Sequence, residues 1–279
     1  MRRALVVGMG GLRGGYDAGV VATLCRELGP DYFDAVFASS VGVFAATFFL
    51  ANQPDTLERT WRNFVDGRKL VNFWNPLRRR EVLDLEYLTG IFQNEISFLD
   101  VEKVFKVSAS LMYALTEYSS GKTVYRKPDR ENLFECMQAS AALPFAHRPV
   151  SIDNVRYVDG GLSCPLPVHK AIEDGYDEII AVYNKPEGFY VEKRFRFFHP
   201  VASLFLPPSV AGLLTTYERK VREIEELISC NRHVTVIRPK TQIPLRSILD
   251  TNKKRIHEAI DMGIIDARDF VRSRGGTGR

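Results

Sequence analysis

The chain has 279 residues, of which 45% are hydrophobic and 26% charged, the composition of an ordinary soluble globular protein. A formal net charge of +4 is too small to predict nucleic acid as a partner. No stretch approaches the roughly 20 apolar residues that a membrane-crossing helix needs. The four cysteines form no CxxC pair, so neither a zinc site nor a disulfide framework is predicted. We therefore expect no metal or other cofactor, and a reducing, cytoplasmic setting.

Strands alternate with helices in the N-terminal part of the chain. Ala4–Val7 is predicted to be a strand, and a glycine-rich turn leads from it to an amphipathic helix at Ala18–Leu28. Phe33–Phe37 is the second predicted strand, and the apolar run Val43–Ala51 predicts a helix immediately after it. This alternation indicates the α/β class, with a central, mostly parallel sheet flanked by helices.

The rest of the chain adds further strands and helices. The stretch from Thr56 to Phe105 reads as helical and charged, and we interpret its run Arg78-Arg79-Arg80 as a solvated face or loop. The other predicted elements are a strand at Lys106–Thr116 with a hairpin partner at Thr123–Tyr125, a helix at Leu133–Ala142, a strand at Val155–Val158, a helix from Pro167 to Gly175, a strand at Glu178–Tyr183 and a helix at Asn252–Val271. We expect one domain, with a core over residues 1–185 and a C-terminal segment, 186–279, packed on it.

The turn Gly8-Met9-Gly10-Gly11-Leu12-Arg13-Gly14-Gly15 is the first candidate for chemistry. Glycines allow the backbone to approach a ligand closely, and amides beside a helix N-terminus stabilise an anion. That anion could be a phosphate or the oxyanion of an acyl-transfer intermediate. A dinucleotide fingerprint fits badly because Arg13 stands at its third glycine, and a P-loop would need Lys-Ser after Gly15. A plain tight turn is the alternative.

Ser40 is the second candidate, in the sequence Ala38-Ser39-Ser40-Val41-Gly42. A strand, a tight turn and a helix in succession present a serine hydroxyl as a nucleophile. Ser39 is a rival, but counting back from Gly42 places Ser40 at the serine of a G-x-S-x-G pattern, with Ala38 at its first glycine. The alternative is that these serines only cap the following helix.

Asp159 is the third candidate, in Val158-Asp159-Gly160-Gly161 at the end of a predicted strand. A serine nucleophile needs a base to take its proton. His147 and His169 flank this segment and remain candidates for that base, whereas the other three histidines lie in the C-terminal third. An aspartate at a strand end is equally well placed to accept the proton directly, although Asp-Gly-Gly is also a common turn.

In this order, Met9–Gly14, Ala38–Gly42 and Asp159–Gly161 resemble the motifs of the patatin-like phospholipases, which read G-G-G-x-R/K-G, G-x-S-x-G and D-G-G/A. The segment Gln138–Phe145 also resembles the small-residue helix and proline that precede the aspartate strand in this family. The resemblance covers about residues 4–185 and is most like the bacterial members. It implies a patatin-like three-layer sandwich.

The resemblance also implies a serine hydrolase with a Ser–Asp dyad and no histidine. Ser40 would be the nucleophile and Asp159 its base. The backbone amides of Gly10, Gly11 and Leu12 would form the oxyanion hole, and Arg13 would add positive charge beside it.

The implied substrates are acyl esters of phospholipids or related lipids, cleaved without calcium by a phospholipase A or lysophospholipase type of activity. Met9 and Ala38 depart from glycines of the family, but neither change removes a reacting group. A small-ester esterase, an acyltransferase and a non-catalytic lipid- or anion-binding protein are the alternatives.

The segment Phe189–Phe198 mixes aromatic and basic residues. Such a mixture suits peripheral contact with a membrane surface, where rings lie at the headgroups and cations meet anionic lipid. A loop that covers the core and exposes its arginines is the alternative.

Overall fold

The computed structural model describes residues 1–65, 69–94, 97–188, 200 and 202–275. Strands in the described residues are β1 (Arg3–Val7), β2 (Ala35–Ser39), β3 (Ser110–Glu117), β4 (Thr123–Arg126), β5 (Val150–Ile152), β6 (Val155–Val158), β7 (Glu178–Val182) and β8 (Val234–Ile237). They form one eight-stranded sheet in the order β5-β6-β3-β2-β1-β7-β8, with β4 paired to β3.

Helices surround this sheet. Those in the described residues are α1 (Gly14–Leu28), α2 (Gly42–Leu50), α3 (Pro54–Asn63), α4 (Leu85–Phe92), α5 (Val101–Val104), α6 (Leu133–Ala141), α7 (Val168–Glu173), α8 (Pro208–Cys230) and α9 (Lys253–Gly275).

The sheet is mostly parallel, which confirms the predicted class. β1 pairs in parallel with β2 and β7, β2 with β3, and β7 with β8. The antiparallel pairs all lie on the β3 side of the sheet, where β3 pairs with β4 and β6, and β6 with β5. The predicted hairpin after β3 is therefore present.

Alternate residues of the central strands pack into two separate cores. Leu5 and Val7 of β1 belong to the larger core, together with buried residues of α1, α2 and α3. Ala4 and Val6 point to the other face, where they join buried residues of α7 and α8. Because side chains of a strand alternate between faces, a sheet covered on both sides needs this continuous apolar run. The result is three layers: helices, sheet, helices.

Several element boundaries differ from the predictions. β2 begins at Ala35 and not at Phe33, because a 3-10 turn over Pro30–Tyr32 comes first. α1 begins at Gly14, four residues before the predicted start, since the glycine turn passes directly into the helix. The predicted charged helical stretch, 56–105, is largely irregular between α3 and α4.

The elements that the sequence did not predict are β5, β8 and α8. β5 and β8 lie at the two ends of the strand order, so each pairs on one side only and is partly exposed. They therefore lack the continuous apolar pattern of the central strands. The last helix, α9, was predicted, and it buries Ile256, Ile260 and Ala267. The proposed division at residue 185 stays a prediction.

Candidate active site

The predicted site residues meet where β1, β2 and β6 end. The glycine turn follows β1, and Ser40 follows β2. β6 pairs with the last two residues of β3, where Val158 is opposite Thr116. Asp159, the next residue, therefore lies near Ala114 of β3. Ala114 pairs with Ser39 of β2 on the other side. The pairing register thus brings Ser40 and Asp159 together.

Ser40 has the backbone conformation of a nucleophile elbow. Its φ is +54°, in the left-handed region that a non-glycine residue rarely adopts. The Ser140 hydroxyl of α6 holds this turn: it accepts a hydrogen bond from the Ser40 amide (2.9 Å) and donates one to the Ala114 carbonyl (2.8 Å). Ser40 also directly precedes the first turn of α2, where the helix dipole favours negative charge.

The two small residues of the elbow have different roles. A Cβ at Gly42 would lie 2.6 Å from the Gly8 carbonyl oxygen, so this position has no room for a side chain. Ala38 is an ordinary residue of β2, paired with Val7 and Tyr113. The extended conformation of Ala38 explains why this elbow does not need the first glycine of the motif.

Asp159 is the hydrogen-bond partner of Ser40. Its Oδ2 accepts from the Ser40 hydroxyl at 2.7 Å, and its Oδ1 accepts from the Gly161 amide at 2.7 Å. The side chain is buried, and burial raises the pKa of Asp159 to about 6 against the lowering effect of these two hydrogen bonds. The carboxylate is therefore mainly ionised at pH 7 and remains close to the pKa range that suits a general base.

The described histidines make their contacts elsewhere. His147 is buried, with Nε2 3.2 Å from a Glu86 oxygen and Nδ1 2.7 Å from the Arg148 carbonyl. His169 lies on α7, exposed, next to Glu173. Within the described ranges, Asp159 is thus the group that contacts the Ser40 hydroxyl, and no histidine does so.

The glycine turn has two amides directed to no acceptor in the described residues, those of Gly10 and Gly11. Gly11 has a φ of +56°, and a Cβ there would lie 2.3 Å from the Ile248 carbonyl oxygen. The amide of Leu12 differs from our expectation, because it donates to that same Ile248 carbonyl at 2.7 Å. It is therefore engaged in this structure and is not offered to a substrate.

Arg13, the fourth residue predicted for the oxyanion hole, supplies positive charge near this turn. Burial, and then the charge of Arg13, lowers the pKa of Lys185 to about 7. Lys185 is itself buried and donates to the Tyr217 hydroxyl at 3.1 Å. The Tyr217 hydroxyl contacts the Met9 sulfur at 3.2 Å. Met9 thus replaces a glycine of the motif with a side chain that packs against α8.

Sequence reasoning missed several residues that support the site. Asn184 Nδ2 donates to the Met9 carbonyl (2.9 Å) and to Asp17 (2.7 Å), which anchors the glycine turn. Asn184 lies just after the predicted strand Glu178–Tyr183, and polar residues at such strand ends often line sites in α/β sheets. That signal could have found it. Tyr217 had no comparable signal, since it lies in the unpredicted α8.

A pocket with a mostly apolar lining lies beside Ser40 and Asp159. Its lining includes Phe44 and Phe48 of α2, Trp61 of α3 and Leu88 of α4. Ser40, Thr60 and Asp159 are the only polar side chains among the described residues that line it. Phe44 and Phe48 follow Ser40 by one and two turns, so the apolar wall runs about 12 Å along α2. The arrangement suits a long apolar group attached to a polar reacting centre.

Metal ligands and membrane spans were also sought. In the described part of the chain, no three histidine, cysteine, aspartate or glutamate side chains come together as a metal site. No described helix has the length and apolar character needed to cross a membrane. The predicted membrane segment, Phe189–Phe198, lies outside the described residues.

A family model described as Patatin-like phospholipase matches residues 5–172. This match spans more than half of the chain and contains all three motifs. The chain belongs to the patatin-like phospholipase family. Membership supports a lipid acyl hydrolase in general terms, acting on a lipid substrate.

Relatives of this patatin-like chain include proteins of two bacteria. It is 26% identical over 285 residues to the uncharacterized protein YjjU of Escherichia coli, which covers 98% of this chain and 78% of YjjU. It is also 26% identical over 182 residues to the uncharacterized NTE family protein Rv1063c of Mycobacterium tuberculosis, covering 65% of this chain. That match spans about half, 48%, of the mycobacterial protein.

The crystal structure of VipD from Legionella pneumophila is a structural neighbour, with a TM-score of 0.45 and 10% sequence identity. The superposition covers 96% of this chain and 67% of that one. This likeness is too low to bear on the function of the patatin-like chain.

Proposed function

We propose that this chain is a serine hydrolase that cleaves acyl esters of phospholipids or related lipids with a Ser40–Asp159 dyad. The hydrogen bond of 2.7 Å from the Ser40 hydroxyl to Asp159, both of which line an apolar pocket, carries the proposal. Family membership supports lipid acyl hydrolysis in general, and this contact is what makes the proposal specific to two residues.

In the proposed reaction, the Ser40 oxygen attacks the ester carbonyl while Asp159 accepts its proton. A carboxylate with a pKa of about 6 can hold that proton transiently at neutral pH. Asp159 then passes the proton to the departing alcohol. Water attacks the acyl-enzyme in the same way, giving up a proton to Asp159, and the fatty acid leaves with Ser40 restored.

The developing oxyanion would be stabilised by the amides of Gly10 and Gly11. These donors are fixed in position before the reaction, since Asn184 anchors the turn from one side and Ile248 packs on it from another. Preorganised donors of this kind are worth more than donors in water because no solvent has to reorient. The charge of Arg13 would add to this stabilisation, and Leu12 is left out because its amide is engaged.

The apolar lining of the pocket supports a lipid ester over a small ester. A longer acyl chain would bury more methylene groups against this lining, and each buried methylene group contributes about 0.8 kcal/mol to binding. Phospholipase A or lysophospholipase activity that needs no calcium is the form we propose. Hydrolysis of a lysophospholipid should therefore continue in the presence of a calcium chelator.

Covalent labelling with a fluorophosphonate probe tests the nucleophile directly. Wild type should be labelled, and Ser40→Ala should not. Ser39→Ala is the matched control. The Ser39 hydroxyl is buried and donates to the Cys164 carbonyl at 2.7 Å, so its removal should leave labelling unchanged. Labelling that survives in a folded Ser40→Ala protein would refute the assignment. A folded wild type that neither reacts with the probe nor hydrolyses esters would favour a lipid-binding protein without catalysis.

A further inference from the structure

A short exposed loop at residues 72–82 lies next to the pocket. Its two ends meet at an antiparallel bridge between Val71 and Leu83, and the Asn72 amide donates to the Val82 carbonyl at 2.8 Å. Inside the loop, the Asn75 side chain donates to the Glu81 carbonyl at 2.8 Å. These bonds give the tip a defined shape, which includes a 3-10 turn over Asn75–Arg78.

The tip of the 72–82 loop carries three large apolar side chains in water. Phe73, Trp74 and Leu77 are 66%, 68% and 79% exposed. Single exposed apolar residues are normal, but three within five positions of one turn form a patch of the kind that marks an interaction surface. Tryptophan in particular is enriched where an apolar phase meets water.

Arginines follow the apolar tip directly. Arg78, Arg79 and Arg80 are all exposed, and none forms an ion pair with a residue in the described ranges. Arg79 has a φ of +56°, in the left-handed region. The acidic residue next in sequence, Glu81, lies 3.7 Å from Arg148. The loop therefore presents three uncompensated positive charges beside its apolar tip.

The base of the loop belongs to the wall of the pocket. Leu70 and Leu83 flank the loop, and both line the pocket that ends at Ser40. The Leu83 amide also donates to the Ala146 carbonyl at 2.8 Å, next to Phe145, which is exposed with a φ of +67°. A partner surface that binds the tip of the loop would therefore lie close to the pocket.

We propose that the 72–82 loop docks this protein on an anionic lipid bilayer. The aromatic rings and Leu77 would enter the headgroup region, and the three arginines would contact acidic headgroups. A second copy of this chain is a poorer occupant, because a two-fold contact over the loop would bring two arginine clusters together. The inference deepens the proposed function and rests on it only for the idea that the bound lipid is also the substrate.

Vesicle binding tests the docking loop without any need for catalysis. The probe vesicles contain either phosphatidylcholine alone or an equimolar mixture with phosphatidylglycerol, and they are incubated with a Ser40→Ala background so that no lipid is consumed. We expect binding to the anionic vesicles and little to the neutral ones. Changing Arg78, Arg79 and Arg80 to Gln together should weaken the partition constant roughly a hundredfold. Phe73→Ser, Trp74→Ser and Leu77→Ser together should weaken it as well.

Matched controls remove charge or apolar surface from α9 instead. Lys254→Gln, Arg268→Gln and Arg272→Gln remove three exposed cations there, and Ile265→Ser removes an exposed apolar side chain. These variants should bind anionic vesicles almost as the parent does. All loop variants should keep the far-UV circular dichroism spectrum and the thermal unfolding midpoint of the Ser40→Ala parent, which shows that they are folded. Equal loss of binding in the α9 set would indicate a general charge effect and would overturn the proposal.

Tryptophan fluorescence gives an independent readout, because the chain has two tryptophans in opposite environments. In Trp61→Phe, Trp74 is the sole reporter and should be quenched by brominated lipid in anionic vesicles. In Trp74→Phe, the remaining Trp61 lines the pocket, so quenching there would report entry of a brominated acyl chain into the pocket and not docking of the loop. If Trp61→Phe neither binds the vesicles nor is quenched, the proposal that the loop docks on a membrane is refuted. Self-association that is lost when Phe73, Trp74 and Leu77 are changed would identify a second copy as the occupant instead. Neither readout uses hydrolysis. The docking result is therefore independent of the fluorophosphonate test of Ser40, and failure of either test does not decide the other.

Discussion

Ser40 has two unlike surroundings, one polar and one apolar. On the polar side, Ser40, Asp159 and Asn184 follow strand ends. Each of their contacts joins one specific pair of atoms, such as Ser40 with Asp159 and Asn184 with the Met9 carbonyl. On the apolar side, side chains of α2, α3 and α4 share a wall in which many small contacts are interchangeable. Under the proposed function, the comparison teaches that the polar side would set whether the ester bond breaks, and the apolar side would set which acyl chain fits.

The largest effect should follow from a change on the polar side. Asp159→Asn keeps the shape of the side chain but cannot take a proton from Ser40, so kcat for a p-nitrophenyl ester should fall by about 10² to 10⁴. KM should change little because the wall is intact. Asp266→Asn is the control, since Asp266 is a partly buried carboxyl that contacts Tyr16 and not Ser40. A loss below tenfold in Asp159→Asn would show that another group is the base.

The pH dependence should report the same carboxyl. Burial raises the pKa of Asp159 from 3.8 to about 6, so kcat/KM should fall about tenfold per pH unit below 6. Because the folded-state pKa is raised, the folded protein binds this proton more readily than the unfolded chain does. The stability contributed by Asp159 is therefore present at low pH and is lost as pH rises from about 4 to 6. An acid limb near pH 4, measured with a soluble ester under conditions where the fold is intact, would contradict this assignment.

A change in the wall should alter selectivity and leave the chemistry intact. Leu88→Trp fills part of the pocket and should exclude about two methylene groups, which corresponds to ~1.6 kcal/mol, or about a fifteenfold loss of kcat/KM for long-chain esters. Hydrolysis of the acetate ester should change little. Leu88→Met conserves volume and should keep the preference for long chains. Equal losses for short and long esters in Leu88→Trp would show that the two sides of Ser40 are not separable.

The smallest effect should come from the support behind the elbow. Ser140→Ala removes the acceptor for the buried Ser40 amide and should cost about 1 to 3 kcal/mol of unfolding free energy. Activity should fall only severalfold, because no reacting group is lost. Urea denaturation and initial rates measure the two quantities, and Ser140→Cys should restore part of each. Unchanged stability would mean that the elbow does not need this contact.

The sequence predicted the parts of this protein that depend on neighbouring residues. The strand–turn–helix order around Ser40 and the Asp-Gly-Gly at the end of β6 are local patterns, and the parallel sheet follows from alternating strands and helices. The roles of Ser140 and Ile248 depend on contacts between residues 100 or more positions apart, which no local pattern contains. Tyr113 and Trp61 are both buried, as expected for large aromatic residues. The sequence does not indicate that Trp61 lines the pocket and Tyr113 does not.

The exposed loop shows a second limit of sequence reasoning. The charge run Arg78-Arg79-Arg80 predicts a solvated face or loop, and these residues are exposed in a loop. What the charge run could not show is that Phe73, Trp74 and Leu77 are exposed beside them, because apolar residues in a charged stretch are usually expected to be buried.

The contact between Ile248 and the glycine turn has a consequence for how the protein is made. The packing partner Ile248 and the neighbouring wall residue Leu249 are synthesised more than 230 residues after the turn. A nascent chain that has already produced Ser40 and Asp159 still lacks this wall. The pocket is therefore complete only after Ile248 and Leu249 have left the ribosome.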